Sequence, residues 1–389
     1  MSKPDPFFDI EFACLNHHGE ELCGDQVRIA RTDRRSIVVL ADGLGSGVKA
    51  NILACLTAEI IVRMSLAGAT AADVMDTVIG TLPADRTLGV AYSAFTLLDL
   101  IHADGSFRVI SFEAPAPLLL RQGRVASLER YGREVRGRTL LFSKGRLELG
   151  DFLGLLSDGV LHAGVGELHN FGWDRAGIGR FIEETLKFHA SSAGRAANRV
   201  IRETNLLYGG RPGDDATFVG VLPRAPRALM VVTGPAVDRD DDESCTDRLM
   251  AFPGRKVVCG GTTSDIIGAH LGVLVVSEPN SGRDGIPPIG RLPGIDLVTE
   301  GIMTMAATLR LLDEADGSLE RLPGDRNGAA LLARELLQAD SVSFLVGEQV
   351  NPYYQNPQLP RSVSIRRNLV VQLIDRLKAY RKEVTVEWC

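Results

Sequence analysis

The chain has six cysteines, at positions 14, 23, 55, 245, 259 and 389, and no two of them form a Cys-x-x-Cys pair. Zinc-ribbon and thioredoxin-like readings therefore lack support. Basic residues are outnumbered, 43 against 49 acidic ones, for a net charge of −6. A nucleic-acid binder usually concentrates basic charge on one face, so no nucleic-acid partner is expected. No apolar run approaches the roughly 18 residues that cross a bilayer, which argues against a membrane partner. The opening MSKPDPFFDIEF lacks a charged segment followed by a long apolar stretch, and so does not read as a signal peptide. The expectation is a cytoplasmic protein with reduced thiols. Internal repeats and low-complexity tracts are also missing.

What is present is ordinary for a globular chain: 45% hydrophobic and 24% charged residues over 389 positions. That length exceeds a typical single domain and predicts two. Two prolines within LPRAPR, 222–227, mark the boundary, giving domains at 1–222 and 228–389.

The first domain is rich in strand signals. SIVVLAD is a short β-branched run. Ser46 to Ala67 reads as a helix, with apolar positions at Ile52, Cys55, Leu56, Ile60 and Met64. A second helix is expected over Ala71–Leu82. Hairpins are expected around Asp104-Gly105 and Gln122-Gly123. Helix returns over Gly179–Leu207, interrupted near Ser191–Gly194. Hairpins grouped with helices predict an α+β layered domain. The second domain alternates strand and helix, with VLVVSE and IDLVTEG among its strands and VTVEW at its end. That alternation predicts a three-layer α/β domain on a mainly parallel sheet.

Four aspartates of the first domain share one context. Asp25 sits in CGDQ, Asp42 in ADGLG, Asp158 in LLSDGV and Asp214 in GDDAT. Each stands at an expected strand end beside glycine or another small residue. Any one Asp-Gly is most simply a turn, as Asp104-Gly105 is expected to be. Four together, without matching Lys or Arg, would repel one another, and a hard divalent cation relieves that repulsion. Oxygen-only donors favour magnesium or manganese.

Taken in order, GDQ, ADGLGSGVKAN, LLSDGV and GDDATFV resemble the metal-dependent serine/threonine phosphatases of the PPM superfamily. They look most like the SpoIIE-type branch, with an RsbX-like catalytic domain, over about residues 9–221. The resemblance implies a β-sandwich flanked by helices, with a binuclear Mn2+ or Mg2+ centre at one end. It implies that Asp42 bridges both ions and that the Gly43 carbonyl helps hold one. Asp25 would serve one ion directly or through water, and Asp158 and Asp214 would hold the other. Asp215 stands where the family often has Asn, so it would lie behind the direct ligands. Many members place His after the first Asp-Gly; here it is Leu44, as in the SpoIIE-like branch. Glu113 also occupies a position that is usually small.

Other features compete with plainer readings. His17-His18 precede Gly19 and read as an exposed turn rather than a metal pair. Cys23 reads as a small buried hydrophobe. KVVCGGTTSD reads as strand, glycine turn and helix, with Thr262 or Thr263 as the cap. The helix start could instead bind an anion, with Cys259, Gly260, Gly261, Thr262, Thr263 and Glu300 on loops after parallel strands. An exposed Cys259 there would have a lowered pKa. DRDDDE, Asp238 to Glu243, reads as a solvated helix start. NPYYQNPQLP reads as a contact loop, and a homo-oligomer stays open.

The expected function is a manganese- or magnesium-dependent protein phosphatase. Its substrate would be a phosphorylated regulator such as a STAS-domain antagonist, and an unknown small ligand would act on the second domain. The alternative is a pseudo-phosphatase that signals through its C-terminal domain. A third reading makes the second domain a small-molecule enzyme using Cys259.

Overall fold

A computed structural model describes residues 6–81, 93–135, 137–165, 172–189, 192–349 and 365–389. The chain divides into two compact units, 1–225 and 226–389. Among the described residues no helix is long and apolar enough to cross a membrane. The NPYYQNPQLP segment and Leu82 lie outside the described residues.

The first unit contains two antiparallel sheets. Its elements begin with β1 (Phe7–Leu15), β2 (Asp25–Arg31), β3 (Arg35–Asp42), α1 (Gly47–Leu66) and α2 (Ala71–Thr81). Then come β4 (Ala94–Ile101), β5 (Ser106–Phe112), β6 (Leu118–Arg121), β7 (Arg124–Ala126), β8 (Tyr131–Val135) and β9 (Arg138–Arg146). The unit closes with β10 (Phe152–Leu156), α3 (Asp158–Leu161), α4 (Arg175–His189), α5 (Ala193–Leu207) and β11 (Ala216–Arg224). One sheet has the order β2-β3-β4-β5-β9-β8 and the other β1-β11-β10-β6-β7.

Side-chain alternation explains the layering. On β3, Val38 and Leu40 enter a core shared with Leu153, Leu155, Val219 and Val221 of the opposite sheet. Ile37, Val39 and Ala41 point the other way, against α1 and α2. On β10 and β11, Phe152, Leu156 and Phe218 face α4 and α5. Both sheets are thus covered on both faces, which is why antiparallel strands here read as unbroken apolar runs. The unit is a helix-flanked β-sandwich.

The face expected of α1 is corrected in part: Ile60 and Met64 pack against the core, whereas Ile52 and Leu56 do not. Its buried residues are Gly47, Ala50, Ala54, Thr57, Ala58, Ile61 and Val62. Ile52 and Leu56 are 52% and 46% exposed. Alanines at 50, 54 and 58 let the helix backbone approach β3 closely, with Ile61 and Val62 buried beside them, while Ile52 and Leu56 turn outward.

The second unit comprises β12 (Ala228–Thr233), α6 (Arg239–Ala251), β13 (Arg255–Cys259), α7 (Gly261–Leu271), β14 (Val276–Ser277), β15 (Gly290–Arg291) and β16 (Leu297–Thr299). It continues with α8 (Ile302–Ala315), α9 (Gly328–Gln338), β17 (Ser341–Val346), α10 (Ile365–Ala379) and β18 (Glu383–Trp388). β16, β13, β12, β17 and β18 are adjacent and parallel. Val231, Val257 and Phe344 pack against α8, α9 and α10. Val232, Val258 and Leu345 face α6 and α7. This is a three-layer α/β unit. VLVVSE is not a full strand: only Val276 and Ser277 pair, antiparallel, at the sheet edge.

Candidate functional site

The β2–β3 register places Asp25 directly opposite Asp42. β2 begins with the first carboxylate and β3 ends with the second. Across the sandwich, β10 ends at Leu156, Ser157 follows, and Asp158 opens α3. Asp214 and Asp215 immediately precede β11. Two sheets therefore deliver carboxylates to one end of the sandwich.

Hydrogen bonds hold these groups in place. Ser157 Oγ donates to Asp25 Oδ2 at 2.7 Å and accepts the Thr217 N–H at 2.8 Å. Asp215 Oδ1 accepts the His17 N–H at 2.9 Å, and Asp214 Oδ1 accepts the Asp215 N–H at 2.9 Å. Asp25 and Asp215 are each 3% exposed. Asp25 Oδ1 and Asp215 Oδ2 are buried and have no hydrogen-bond partner among the described residues. Buried acceptors left this way cost stability, so each is a place for a donor or a cation.

The electrostatics agree with that reading. Burial pushes the Asp25 carboxyl up to about 7; the Ser157 and Thr217 hydroxyls pull it back, and Asp215 and Asp158 push it further. Burial pushes Asp42 up to about 9, reinforced by the charges of Asp25 and Asp158, a hydrogen bond with Asp158 and the charge of Asp214. Asp214 is raised by burial and Asp158, with the Asp215 N–H and His17 opposing. The groups that shift these three most include no lysine or arginine. Among the described residues, the charges that raise these carboxyls are other carboxylates.

Glycines make room for it. A Cβ on Gly24 would stand 2.6 Å from Asp215 Oδ2, and one on Gly159 would collide with the Asp215 carbonyl oxygen. A Cβ on Gly43 would collide with the Ala50 carbonyl of α1. The bareness of Gly43 is thus required by the helix behind it. Gly45 and Gly47 adopt φ of 88° and 69°, turning the chain from strand to helix.

The donor set is oxygen throughout and suits a hard divalent cation completed by water. Among the described residues, no three His, Cys, Asp or Glu side chains converge closely enough to enclose one ion.

Two residues near the site, His17 and Tyr208, stand apart from the sequence reading. His17 is half-buried, with Nδ1 shut away and unpartnered, rather than an exposed turn residue; His18 is exposed. Tyr208 donates its hydroxyl to the Gly159 carbonyl at 2.8 Å, and burial, with Asp214 and Asp158 adding to it, pushes that hydroxyl up to about 12. No motif marks Tyr208; only the fold brings it beside Gly159. Leu44 is 51% exposed and offers no proton.

In the second unit, Cys259 is buried, and burial pushes its thiol up to about 12. The lowered value expected of an exposed thiol does not arise. Neither Thr262 nor Thr263 caps α7, whose N-cap is Gly260. Thr263 Oγ1 instead accepts the Gly234 N–H at 2.9 Å. Glu300 Oε2 accepts the Met303 N–H at 3.2 Å at the start of α8. Asp238 caps α6, accepting the Asp240 N–H at 3.2 Å. A cleft of about 640 Å³ is lined by Arg227, Arg255, Lys256 and Asp296 among others. It lies at the start of β12 and β13, the opposite strand ends from the Gly260–Thr263 turn.

Residues 32–222 match the family model for stage II sporulation protein E, SpoIIE. No curated protein sequence matches the chain. Among solved structures, it is similar to the phosphatase domain and a regulatory-domain fragment of SpoIIE from Bacillus subtilis. That likeness has 17% identity and a TM-score of 0.47, and covers 56% of this chain and 64% of that one. The RsbU and RsbW domains of a Mycobacterium tuberculosis protein align at 17% identity and a TM-score of 0.48, over 63% of this chain and 68% of that one. RsbX in complex with magnesium aligns at 16% identity and a TM-score of 0.40, over 57% and 98%. The chain spans just under two thirds of the SpoIIE structure it matches.

Proposed function

The N-terminal unit belongs to the SpoIIE family, and from that premise we propose that the chain is a divalent-cation-dependent protein phosphatase acting on phosphoserine or phosphothreonine. One observation carries the reading: Asp25 and Asp42 are paired across β2 and β3, and the charges of Asp25, Asp158 and Asp214 all help raise the Asp42 carboxyl. In this reading Asp25, Asp42, Asp158 and Asp214 hold two Mn2+ or Mg2+ ions, the Gly43 carbonyl assists, and Asp215 stands behind them. Such cations supply an acidified water as nucleophile and positive charge for the phosphoryl oxygens.

The chain's own residues do the positioning. Ser157 fixes the Asp25 carboxylate, and the Thr217 amide fixes Ser157. The His17 amide orients Asp215. Tyr208 pins the Gly159 carbonyl and so steadies the turn that bears Asp158. Gly24, Gly43 and Gly159 keep side chains out of the crowded end. No nucleophilic Ser or Cys is needed.

The substrate in this reading is a phosphorylated bacterial regulator of the STAS-domain antagonist type. The second unit is read as the regulatory half, on fold-level grounds alone. Open parallel sheets take ligands outside their carboxyl strand ends. Gly260, Gly261, Thr262, Thr263 and Glu300 lie there; Cys259, being buried, does not contribute its thiol.

The test is hydrolysis of p-nitrophenyl phosphate by the full chain with manganese. Activity should vanish with EDTA and in Asp42→Asn. A variant that keeps wild-type, metal-dependent turnover would sink the proposal. The rival is a pseudo-phosphatase acting as a binding module through the second unit. Calorimetric titration with manganese separates the two: a vestigial site binds poorly.

A further inference from the structure

The second unit brings together two thiols that the proposed function does not use. Cys245 lies midway along α6, and Cys389 follows β18. Their sulfurs are 3.5 Å apart across 144 residues of sequence. Both are half-buried at the edge of the core formed by Val232, Leu249, Val258 and Leu345.

Independent contacts hold each partner. Cys389 donates its N–H to the Val346 carbonyl at 2.9 Å, and its own carbonyl accepts the Glu348 N–H at 2.7 Å. One turn after Cys245, Arg248 donates from Nη1 and Nη2 to Glu387 Oε1 and Oε2, each at 2.7 Å. That fork ties α6 to β18 two residues before Cys389. Planar two-point pairing of this kind fixes orientation as well as distance. The sulfurs are therefore presented to each other from backbone held on both sides.

We propose that Cys245 and Cys389 form a reversible disulfide, an oxidative modification site that staples α6 to the end of β18. The oxidant is a hydroperoxide. Cys245, as thiolate, attacks the peroxide oxygen, giving a sulfenic acid and hydroxide. The Cys389 sulfur then displaces that hydroxyl, the S–S bond forms, and water leaves. In sum, two thiols and one hydrogen peroxide give one disulfide and two waters. A dithiol reverses the step by exchange.

The local charges favour Cys245 as the attacking sulfur. Burial raises its thiol, while the Cys389 S–H and Arg248 pull it back, with Asp242 and Asp241 opposing. Burial, Cys245, Glu387 and Asp241 all raise Cys389, to about 12.

The test treats the full chain with a small excess of hydrogen peroxide and then blocks the remaining thiols with iodoacetamide. Peptide mass spectrometry should find a Cys245–Cys389 cross-link that dithiothreitol removes. The oxidised unit should unfold roughly 10 °C higher, read through Trp388, as expected for closing a loop of this length in a unit of this size. Cys245→Ser and Cys389→Ala should each abolish the cross-link and leave the other thiol free to alkylate. If wild-type protein forms no such peptide under conditions that oxidise its other thiols, the proposal fails. It also fails if the two cysteines pair only between chains.

Discussion

Removing the Asp42 carboxylate should stabilise the cation-free protein above neutral pH, even as it removes a proposed ligand. Burial and the neighbouring carboxylates raise Asp42 from 3.8 to about 9. Between those values the folded chain keeps a proton that the unfolded chain releases. A raised carboxyl pKa contributes stability that is complete below about pH 4 and is lost as pH rises toward 9. One retained proton is a slope of about 1.4 kcal/mol per pH unit, so the rise from about pH 5 to pH 8 costs about 4 kcal/mol. Asp42→Asn has a similar shape and no proton to lose, so its curve should be flatter by that amount. Asp25, held at about 7, adds a slope below pH 7 that both proteins share. The assay is urea unfolding in EDTA at about pH 5, 6.5 and 8. Trp173 reports on the first unit in a Trp388→Phe background, since the chain's two tryptophans fall one in each unit. Excess magnesium should flatten the wild-type curve, because a cation then supplies the charge that the proton supplied. Equal slopes in EDTA for wild type and Asp42→Asn would refute the reasoning.

Three further outcomes are expected. Ser157→Ala removes the Oγ that serves both Asp25 and the Thr217 amide, so it should cost about 1–3 kcal/mol in denaturant unfolding. Gly43→Ala drives a methyl into the Ala50 carbonyl and should cost about 1–3 kcal/mol or more, whereas Ile52→Ser on the exposed side of α1 should stay within about 0.5 kcal/mol. Cys259, buried and with a raised thiol pKa, should resist iodoacetamide in the folded chain and react only on unfolding; fast labelling of the native protein would contradict its placement.

Much of this architecture is legible in the sequence because burial leaves a mark there. SIVVLAD reads as a strand because both of its faces are covered, one by the opposite sheet and one by α1. The two hairpins are announced by Asp104-Gly105 and Gln122-Gly123, with φ of 73° at Gly105 and 74° at Gly123. The buried face of α1 is only partly legible, at Ile60 and Met64, because hydrophobicity alone ranks isoleucine above alanine. Close approach of a helix to a sheet reverses that order at Ala50, Ala54 and Ala58. The β8–β9 hairpin carries no apolar alternation in its first strand, Tyr131–Val135, which is mostly exposed. At the site, the order of the aspartate motifs is a sequence property, whereas the opposition of Asp25 and Asp42 depends on register. The half-burial of His17 and the reach of Tyr208 to Gly159 arise from contacts distant in sequence and leave no local trace.

The position of β2 has a consequence for how the protein can be observed. Among the described residues, β2 is the outermost strand of its sheet, with a ladder partner on one side only. Its first residue is both the terminal rung of that ladder and a carboxylate anchored across the sandwich through Ser157. Fraying of this edge and loosening of Asp25 are one event. Amide hydrogen exchange along Asp25–Arg31 would then serve as a gauge of cation occupancy, read from the backbone and needing no substrate.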